Sequence, residues 1–250
     1  MFEPGLVSIS FRSLGYEEII KLAVEAGLKS IEWGSDVHAP CGDKEKLMAV
    51  AKATKESGLH CCSYGTYFRL GVTDNRDLSE YISAAEILGT DVLRLWCGDK
   101  GYSEYSHDER EKLISACKEA AKIAEENHIT LCLECHNNTY TDRPEGAMEI
   151  MEAVNSEHFK MYWQPNQFRS FEENLRYARE IAPFTKHIHV FNWVAHERFP
   201  LLEAKEVWKE YLKCFEGKHQ LLLEFMPDDK PESLTTEAKA LKTIITEVQS

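Results

Sequence analysis

The sequence lacks any apolar run that approaches the length of a membrane span, and it has no surplus of basic residues. A membrane-crossing helix needs about 20 mostly apolar residues in succession, so we expect no membrane partner. Asp and Glu number 42 against 29 Lys and Arg, which leaves a formal net charge of −13. Such an acidic protein offers no general positive surface to a phosphate backbone, and we therefore expect no nucleic acid partner either.

We also expect no secretory signal, because the chain opens Met-Phe-Glu-Pro-Gly without a basic region followed by an apolar stretch. We therefore expect a cytoplasmic protein with reduced cysteines. Cys132 and Cys135 lie at an odd offset on a predicted strand, and the adjacent Cys61 and Cys62 are likewise directed to opposite faces. This spacing disfavours a cysteine-rich zinc site, and we interpret the cysteines as small buried hydrophobic residues.

Two further absences concern the fold. No Pro-, Gly- or Ser-rich linker divides the 250 residues, so we expect a single domain spanning residues 1–250. The loop after the first predicted strand reads Phe-Arg-Ser-Leu-Gly, whereas an open doubly wound sheet would be expected to carry a Gly-rich phosphate loop there. That architecture is the runner-up to the one predicted below.

Strand-like and helix-like segments alternate strictly along the chain. The predicted strands are Leu6–Ser10, Lys29–Trp33, Leu59–Tyr64, Asp91–Cys97, Ile129–His136, Phe159–Trp163, His187–Asn192 and Gln220–Phe225. The predicted helices are Tyr16–Ala26, Asp43–Ser57, Leu78–Leu88, His107–Asn127, Arg143–Val154, Phe171–Ile181, Leu201–Phe215 and Pro231–Val248. Eight such units are typical of an α/β fold of the (β/α)8 TIM barrel type.

Four of the predicted strands end in polar residues. Glu134, Gln164, His189 and Glu224 stand at or near the carboxyl ends of strands five to eight, where TIM barrels carry their chemistry. Two carboxylates, an imidazole and an amide oxygen form a donor set for a divalent metal; the oxygens suit Mg²⁺ or Mn²⁺, and the imidazole favours Mn²⁺, Co²⁺ or Zn²⁺. The alternative is a polar cluster held by hydrogen bonds alone.

The loops after strands two, three, four and seven are long and rich in aromatic side chains. They carry, or directly follow, Trp33, His38, Tyr64, Tyr67, Phe68, Trp96, Tyr102, Tyr105, Trp193, His196 and Arg198. Aromatic walls around a polar floor fit a carbohydrate-sized ligand, because sugar rings present apolar C–H faces. The alternative is that these side chains only cover the barrel mouth.

Several motifs together resemble a known family. They are Ile31–Trp33, Arg94–Trp96, Leu133–His136, Gln164–Gln167, His187–His189 and Leu223–Phe225. The chain resembles the sugar phosphate isomerase/epimerase group of xylose isomerase-like TIM barrels, which also includes ketose 3-epimerases, inosose dehydratases and endonuclease IV-type enzymes. The resemblance implies that one divalent metal is held by Glu134, Gln164, His189 and Glu224.

The chain departs from the family pattern at three positions. Gln164 stands where the family usually has Asp, Gln167 where it has His, and Asn192 where Asp is frequent. Replacing an anionic ligand by an amide leaves a ligand set with two formal negative charges. We expect this set to lose its metal more easily and to make the bound metal a stronger Lewis acid.

The chemistry implied by the resemblance is proton abstraction α to the carbonyl of a sugar, ketose or keto-sugar, through an enediolate. Glu134 or Glu224 would take the proton, and its later fate decides between epimerisation, isomerisation and dehydration. The candidate substrate-binding residues are His136, Gln167, Asn192, Arg198, Trp33 and Trp96. Glu32 and Arg94 are interpreted as a structural ion pair inside the barrel.

Two other functions compete with this one. A nuclease of the endonuclease IV type needs histidine ligands on strands three and four, yet Cys61–Tyr64 and Leu93–Trp96 contain none. A non-catalytic sugar-binding relative is the stronger alternative, because the amides Gln164, Gln167 and Asn192 bind hydroxyls without moving protons. The sequence leaves the substrate, the metal and a possible homo-oligomer open.

Overall fold

The computed structural model describes residues 1–249 and contains a closed barrel of eight parallel strands. The barrel strands are Phe2–Val7 (β1), Ser30–Gly34 (β2), His60–Leu70 (β3), Val92–Cys97 (β4), Thr130–Glu134 (β5), Phe159–Trp163 (β6), Thr185–Val190 (β7) and His219–Leu223 (β10). A two-stranded hairpin, Trp193–Val194 (β8) with Glu197–Arg198 (β9), follows β7. The barrel closes where β1 pairs with both β2 and β10.

Helices surround the barrel and alternate with its strands. They are Tyr16–Glu25 (α1), Lys44–Glu56 (α2), Leu78–Leu88 (α3), His107–Glu126 (α4), Pro144–Val154 (α5), Phe171–Ile181 (α6), Lys205–Leu212 (α7) and Leu234–Gln249 (α8). Several helices begin with a polar residue that caps the first turn. At the start of α4, for example, the Ser106 hydroxyl accepts a hydrogen bond from the Glu109 backbone amide, and the Glu109 carboxylate accepts one from the Ser106 backbone amide. The predicted (β/α)8 TIM barrel is confirmed.

The first strand begins four residues earlier in the chain than the sequence predicts. It begins at Phe2 and includes Pro4 and Gly5, a pair that normally indicates a turn. A Cβ atom on Gly5 would lie 2.3 Å from Ser30 Oγ, so glycine permits the close approach of β1 to β2. Pairing with two neighbouring strands therefore overrides the local turn preference. The predicted strand continues to Ser10, whereas Ser8–Phe11 form a 3-10 helix in the structure.

The carboxyl ends of the strands place the polar residues at one rim. Strand β5 ends at Glu134, so His136 lies in the following loop rather than on the strand. Strand β10 ends at Leu223, and Glu224 is the next residue. The Glu224 amide donates to Val190 O of β7 at 3.0 Å, which holds this residue against the neighbouring strand.

The core lies mainly between the barrel and its helices. All eight cysteines are free thiols and six of them are buried. The potential metal-ligand group found among residues 1–249 consists of Glu134, His189 and Glu224. None of the helices formed by residues 1–249 has the length and apolar character of a membrane span.

Candidate active site

Glu134, His189 and Glu224 meet at the carboxyl end of the barrel. They come from β5, β7 and the first position after β10, and all three are buried. One potential ligand atom from each lies within 4.8 Å of the other two. The convergence expected from the sequence is thus present in the fold.

The His189 imidazole lies at the centre of this cluster. Its Nδ1 is 2.8 Å from Gln164 Oε1, 3.5 Å from Glu224 Oε2 and 3.6 Å from Glu134 Oε1. Its Nε2 is buried without a hydrogen-bond partner among residues 1–249 and lies 3.6 Å from Glu32 Oε1. Burial lowers the pKa of His189, but the surrounding carboxylates outweigh it and raise this pKa to about 10.

Arg94 and Glu32 form the expected buried ion pair, and Arg94 also holds Glu134. Its Nε donates to Glu32 Oε1 at 2.7 Å and its Nη1 donates to Glu134 Oε2 at 2.5 Å. Gly65 makes room for the pair, since a Cβ there would lie 2.6 Å from Glu32 Oε1 and 2.7 Å from Arg94 Nη2. Burial opposes ionisation of both carboxylates, but the Arg94 guanidinium holds their pKa values below the ordinary range.

The two candidate catalytic carboxylates have different surroundings. Glu134 Oε2 accepts hydrogen bonds from Arg94 and, at 2.6 Å, from Trp96 Nε1. The charged neighbour of Glu224 is His189, at 3.5 Å. Burial raises the pKa of Glu224, and the charge of His189 offsets this only in part. Glu134 is therefore held as a carboxylate, whereas Glu224 is the better placed of the two to accept a proton.

A divalent cation fits the donor set. Nδ1 of His189 faces oxygens of Glu134, Gln164 and Glu224, while the orphaned Nε2 faces the carboxylate of Glu32. Metal-binding histidines commonly direct their second nitrogen to such a carboxylate. With His189 neutral, three buried carboxylates face one guanidinium, so two negative charges are left for a cation to balance. A metal would have to displace the His189 proton to bind.

Above this cluster lies a cavity of about 290 Å³. Its walls are formed by Ile9, Arg12, Tyr67, Arg94, Trp96, Glu134, Cys135, His136, Asn137, Gln164, Pro165, Asn166, Gln167, Phe191, Trp193, Glu224 and Phe225. The volume is at the small end of the range for ligand pockets, which suits a metabolite rather than a polymer.

Trp96 and His136 form one wall of the cavity. Their rings pack with centroids 4.8 Å apart, and the Arg69 guanidinium lies 4.4 Å from the Trp96 centroid. His136 Nδ1 is 2.7 Å from the carbonyl oxygen of Asn137, so Nδ1 carries a hydrogen and donates it. The Nε2 atom is therefore the ring nitrogen that is left for a ligand.

Six of the predicted site residues line the cavity, and a seventh, His189, lies fully buried among its polar residues. The six are Trp96, Glu134, His136, Gln164, Gln167 and Glu224. Their roles as catalytic, substrate-binding or metal-binding groups stay predictions. The aromatic wall is smaller than predicted, because Tyr67, Trp96 and Trp193 line the cavity while His38, Tyr64 and Phe68 are buried in the packing around it.

Trp33 is placed away from the cavity, and this corrects the expectation that it contacts substrate. It is completely buried, and its Nε1 donates to Thr54 Oγ1 of α2 at 3.1 Å. The physical reason is the alternation of side chains along a strand. Glu32 faces the barrel interior, so its neighbour Trp33 faces the helices.

Asn192 and Arg198 also lie outside the residues that line the cavity. Asn192 Nδ2 donates to Pro200 O at 3.0 Å. The Arg198 guanidinium is bonded to Asp229 and stacks 4.9 Å from the ring centroid of Trp193. The Asn192 contact joins the two ends of the β8–β9 hairpin, and the Arg198 contact ties the hairpin to the loop after β10. Both residues therefore support the wall rather than form it.

Several residues that line the cavity are not among those predicted from the sequence, and they include the polar residues Arg12, Asn137 and Asn166 and the aromatic residue Phe225. Each lies in a loop that follows a barrel strand. Position alone was the available signal, since all such loops share the catalytic rim of a TIM barrel. Asn137 and Asn166 join two loops, because Asn166 Nδ2 donates to Asn137 Oδ1 at 2.5 Å.

Comparison with known proteins agrees with this geometry. Residues 20–203 match the family described as xylose isomerase-like TIM barrel. The chain belongs to this family. A family relative, 3-dehydroshikimate dehydratase of Bacillus anthracis, is 24% identical over 221 residues, covering 82% of this chain and 76% of the relative. The predicted relationship to enzymes of the sugar isomerase type is confirmed, and the relatives include a lyase as well as isomerases.

Solved structures of the family share the same fold. The probable 3-DHS dehydratase AsbF of Bacillus anthracis, involved in petrobactin synthesis, has a TM-score of 0.79 at 19% identity, covering 97% of this chain and 99% of that chain. D-psicose 3-epimerase of Clostridium cellulolyticum H10, solved with D-tagatose, has a TM-score of 0.71 at 14% identity, covering 98% of each chain. At these identities the structural likeness establishes the fold alone.

Proposed function

We propose that the protein is a metal-dependent dehydratase that removes a proton α to the carbonyl of a small polyhydroxylated ketone. The observation that carries this proposal is the unequal environment of its two catalytic carboxylates. Glu134 is bonded to Arg94 and Trp96, whereas Glu224 is the carboxylate left for proton transfer. A single available base beside an imidazole suits elimination of water.

The proposed metal ligands are Glu134, Gln164, His189 and Glu224, and the metal is Mn²⁺, Co²⁺, Mg²⁺ or Zn²⁺. When bound, such a cation supplies Lewis acidity that polarises a carbonyl group and stabilises negative charge on its oxygen. Arg94 keeps Glu134 ionised and fixed. Glu32 faces the second nitrogen of His189 and so favours one orientation of the ring.

The residues of the chain have separate tasks in this mechanism. Glu224 takes the proton on the carbon next to the carbonyl, and the electron pair of that C–H bond moves toward the carbonyl oxygen. As the pair returns, it expels the hydroxyl of the β-carbon, which leaves as water with the proton that Glu224 has taken, while His136 Nε2 accepts a hydrogen bond from the substrate. Trp96 and Gln167 contact the substrate from the cavity walls.

The relative that acts as a 3-dehydroshikimate dehydratase supports a lyase. A second candidate is a ketose 3-epimerase, as found among the structural neighbours. The proximity of Glu134 and Glu224 favours it, because epimerisation needs a proton donor and an acceptor around one carbon. In this candidate Glu134 would have to carry a proton despite its bonds to Arg94 and Trp96.

The experiment that tests the proposal compares metal-stripped protein with protein reconstituted with Mn²⁺. Both are incubated in deuterated water with 3-dehydroshikimate and with ketoses such as D-tagatose, and the products are followed by NMR. We expect metal-dependent loss of water from one substrate and, because removal of the α-proton precedes loss of the hydroxyl, solvent deuterium at the α-carbon of the substrate that remains. Inversion without loss of water would support the epimerase instead. Binding of sugars without any exchange would contradict both and favour a non-catalytic protein.

Gln164→Asp should tighten Mn²⁺ binding by at least about tenfold, or roughly 1.4 kcal/mol. A carboxylate next to His189 Nδ1 adds negative charge at the proposed metal position, where Gln164 offers only an amide oxygen. Calorimetric titration of the metal-stripped protein measures the change. Gln167→Asp is the matched control, because it adds the same charge to the cavity wall outside the ligand set. Equal tightening in both variants, or none in either, would contradict the assigned ligand set.

A further inference from the structure

One arc of the cavity carries hydrogen-bond donors that the proposed chemistry does not use. Arg12 follows β1 and Trp193 follows β7, and the barrel order puts these strands on either side of β10. Both residues line the cavity. Guanidinium and indole groups donate hydrogen bonds and cannot accept them. This arc therefore suits a ligand group that only accepts.

Arg12 keeps donors available for such a group. Its Nε donates to Asp36 Oδ2 at 2.8 Å, its Nη2 donates to Tyr67 at 2.6 Å, and its Nη1 has a long contact of 3.4 Å to Ile9 O. A guanidinium has five N–H groups, so at least two are left without a partner among these. The side chain is 43% exposed and can be reached by a ligand from the cavity.

Trp193 provides a second, independent observation. Its Nε1 is buried and has no hydrogen-bond partner among residues 1–249. An unpaired buried donor costs free energy, and a ligand acceptor would remove that cost. The ring is fixed by Phe225 on one side and by the Arg198 guanidinium, whose distances to the Trp193 centroid are 5.8 and 4.9 Å. The unpaired donor thus belongs to a rigidly held ring that lines the cavity.

Arg94, the second arginine in the cavity wall, is already bonded to two carboxylates. Among residues 1–249, the Lys and Arg side chains that line the cavity are Arg12 and Arg94, and Arg94 is 2% exposed and bonded to Glu32 and Glu134. Of these two side chains, Arg12 is therefore the one whose charge a substrate in the cavity can meet. The polar cluster of Glu134, Gln164 and Glu224 consists of hydrogen-bond acceptors and negative charges, so it favours a cation and hydroxyl groups rather than an anion.

From this arrangement we propose that the substrate is an acid, with its carboxylate bound by Arg12 and the Trp193 indole while its hydroxy-ketone end meets Glu224 and His136. This assignment rests on the proposed function and specifies its substrate class. A carboxylate is preferred over a phosphate monoester because Arg12 is a single guanidinium that Asp36 already neutralises in part. A doubly charged group would lack a second cation.

The test measures binding rather than turnover. Its probes are D-tagatose, D-tagaturonate and D-tagatose 6-phosphate, which share a ketose end and differ at carbon six. Each is titrated calorimetrically into the Mn²⁺-reconstituted protein. We expect D-tagaturonate to bind at least about tenfold more tightly than D-tagatose, because hydrogen bonds between charged groups contribute strongly in a partly desolvated site. Stronger binding of the phosphate would overturn the carboxylate assignment.

Two variants separate anion binding from a structural role of the Arg12–Asp36 pair. Arg12→Met should remove the preference for D-tagaturonate and leave the affinity for D-tagatose within about twofold. Asp36→Asn should keep or increase the preference, because it frees the Arg12 charge from its partner. If both variants weaken all three probes equally, or if no probe binds, the proposal is wrong.

Failure of the carboxylate site and failure of the dehydratase proposal give different results. A dehydratase without this site would still show metal-dependent exchange, with equal affinities for the neutral and acidic probes. A non-catalytic protein with this site would show the Arg12-dependent preference without any exchange.

Discussion

Glu224→Gln is expected to lower turnover by roughly two to four powers of ten while leaving the fold intact, as is usual for loss of a general base. Glutamine keeps the size of the side chain but cannot accept the substrate proton. Because Glu224 has no direct bond to Arg94, its replacement leaves the buried ion pairs of Glu32 and Glu134 in place. The measurement is the rate of solvent hydrogen exchange at saturating Mn²⁺, together with thermal unfolding.

Glu134→Gln should reduce turnover over the same range, but for a different reason. It removes a proposed metal ligand and breaks the bond to Arg94, so it should also lower the unfolding temperature. Glu237→Gln is the control, because Glu237 is a buried carboxylate outside the cavity that accepts a hydrogen bond from the Leu201 backbone amide. Turnover within tenfold of the unaltered protein in Glu224→Gln, or an equal loss in Glu237→Gln, would exclude Glu224 as the base.

Arg94→Met is expected to lower the free energy of unfolding of the metal-free protein by about 3–5 kcal/mol at neutral pH, the usual cost of breaking a buried ion pair. The variant leaves Glu32 and Glu134 buried without their guanidinium. Urea unfolding measures the change. Arg76→Met is the control, since Arg76 forms an equally short pair with Asp74 at the surface and should matter little.

The effect of Arg94→Met should depend on pH. Arg94 depresses the folded-state pKa of Glu32 and Glu134 below the unfolded value of about 4.5. The stability contributed by the pair is therefore present above the unfolded pKa and is lost as the pH falls toward the folded pKa. The difference between the two proteins should shrink below about pH 4.5. A difference that is independent of pH would mean that packing, and not charge, causes the loss.

The sequence predicts those site residues that are marked by a pattern among their neighbours in the chain, and it does not predict those whose role depends on distant residues. Glu134 and His189 lie on strands whose apolar patterns are clear, and their positions at the strand ends led directly to the cluster. Arg12 lies in a loop without such a pattern, and its importance depends on Asp36 and Tyr67, which are distant in the chain. Contacts of this kind cannot be inferred from spacing.

Trp33, in contrast, is predicted to contact the substrate but lies outside the cavity. Its place at the end of a predicted strand suggested a wall of the ligand site, yet the same strand directs Glu32 inward and Trp33 outward. The ion pair expected between Glu32 and Arg94 inside the barrel already implies that Trp33 faces outward, and the bond between these two residues confirms this direction. Register between strands is a tertiary property, because it depends on which strands pair and how they are staggered.

By itself, the sequence determined the alternation of eight strands and helices, the barrel that follows from it, and the four strands whose polar ends face one rim. These features depend on periodicity along the chain, which a local pattern records. The tertiary structure decided that Glu134 is bound by Arg94 and Trp96 while Glu224 is not, and that Arg12 meets the cavity. The reason is that bonds and burial between distant residues set the charge and reactivity of each carboxylate, and these arise only when the barrel closes.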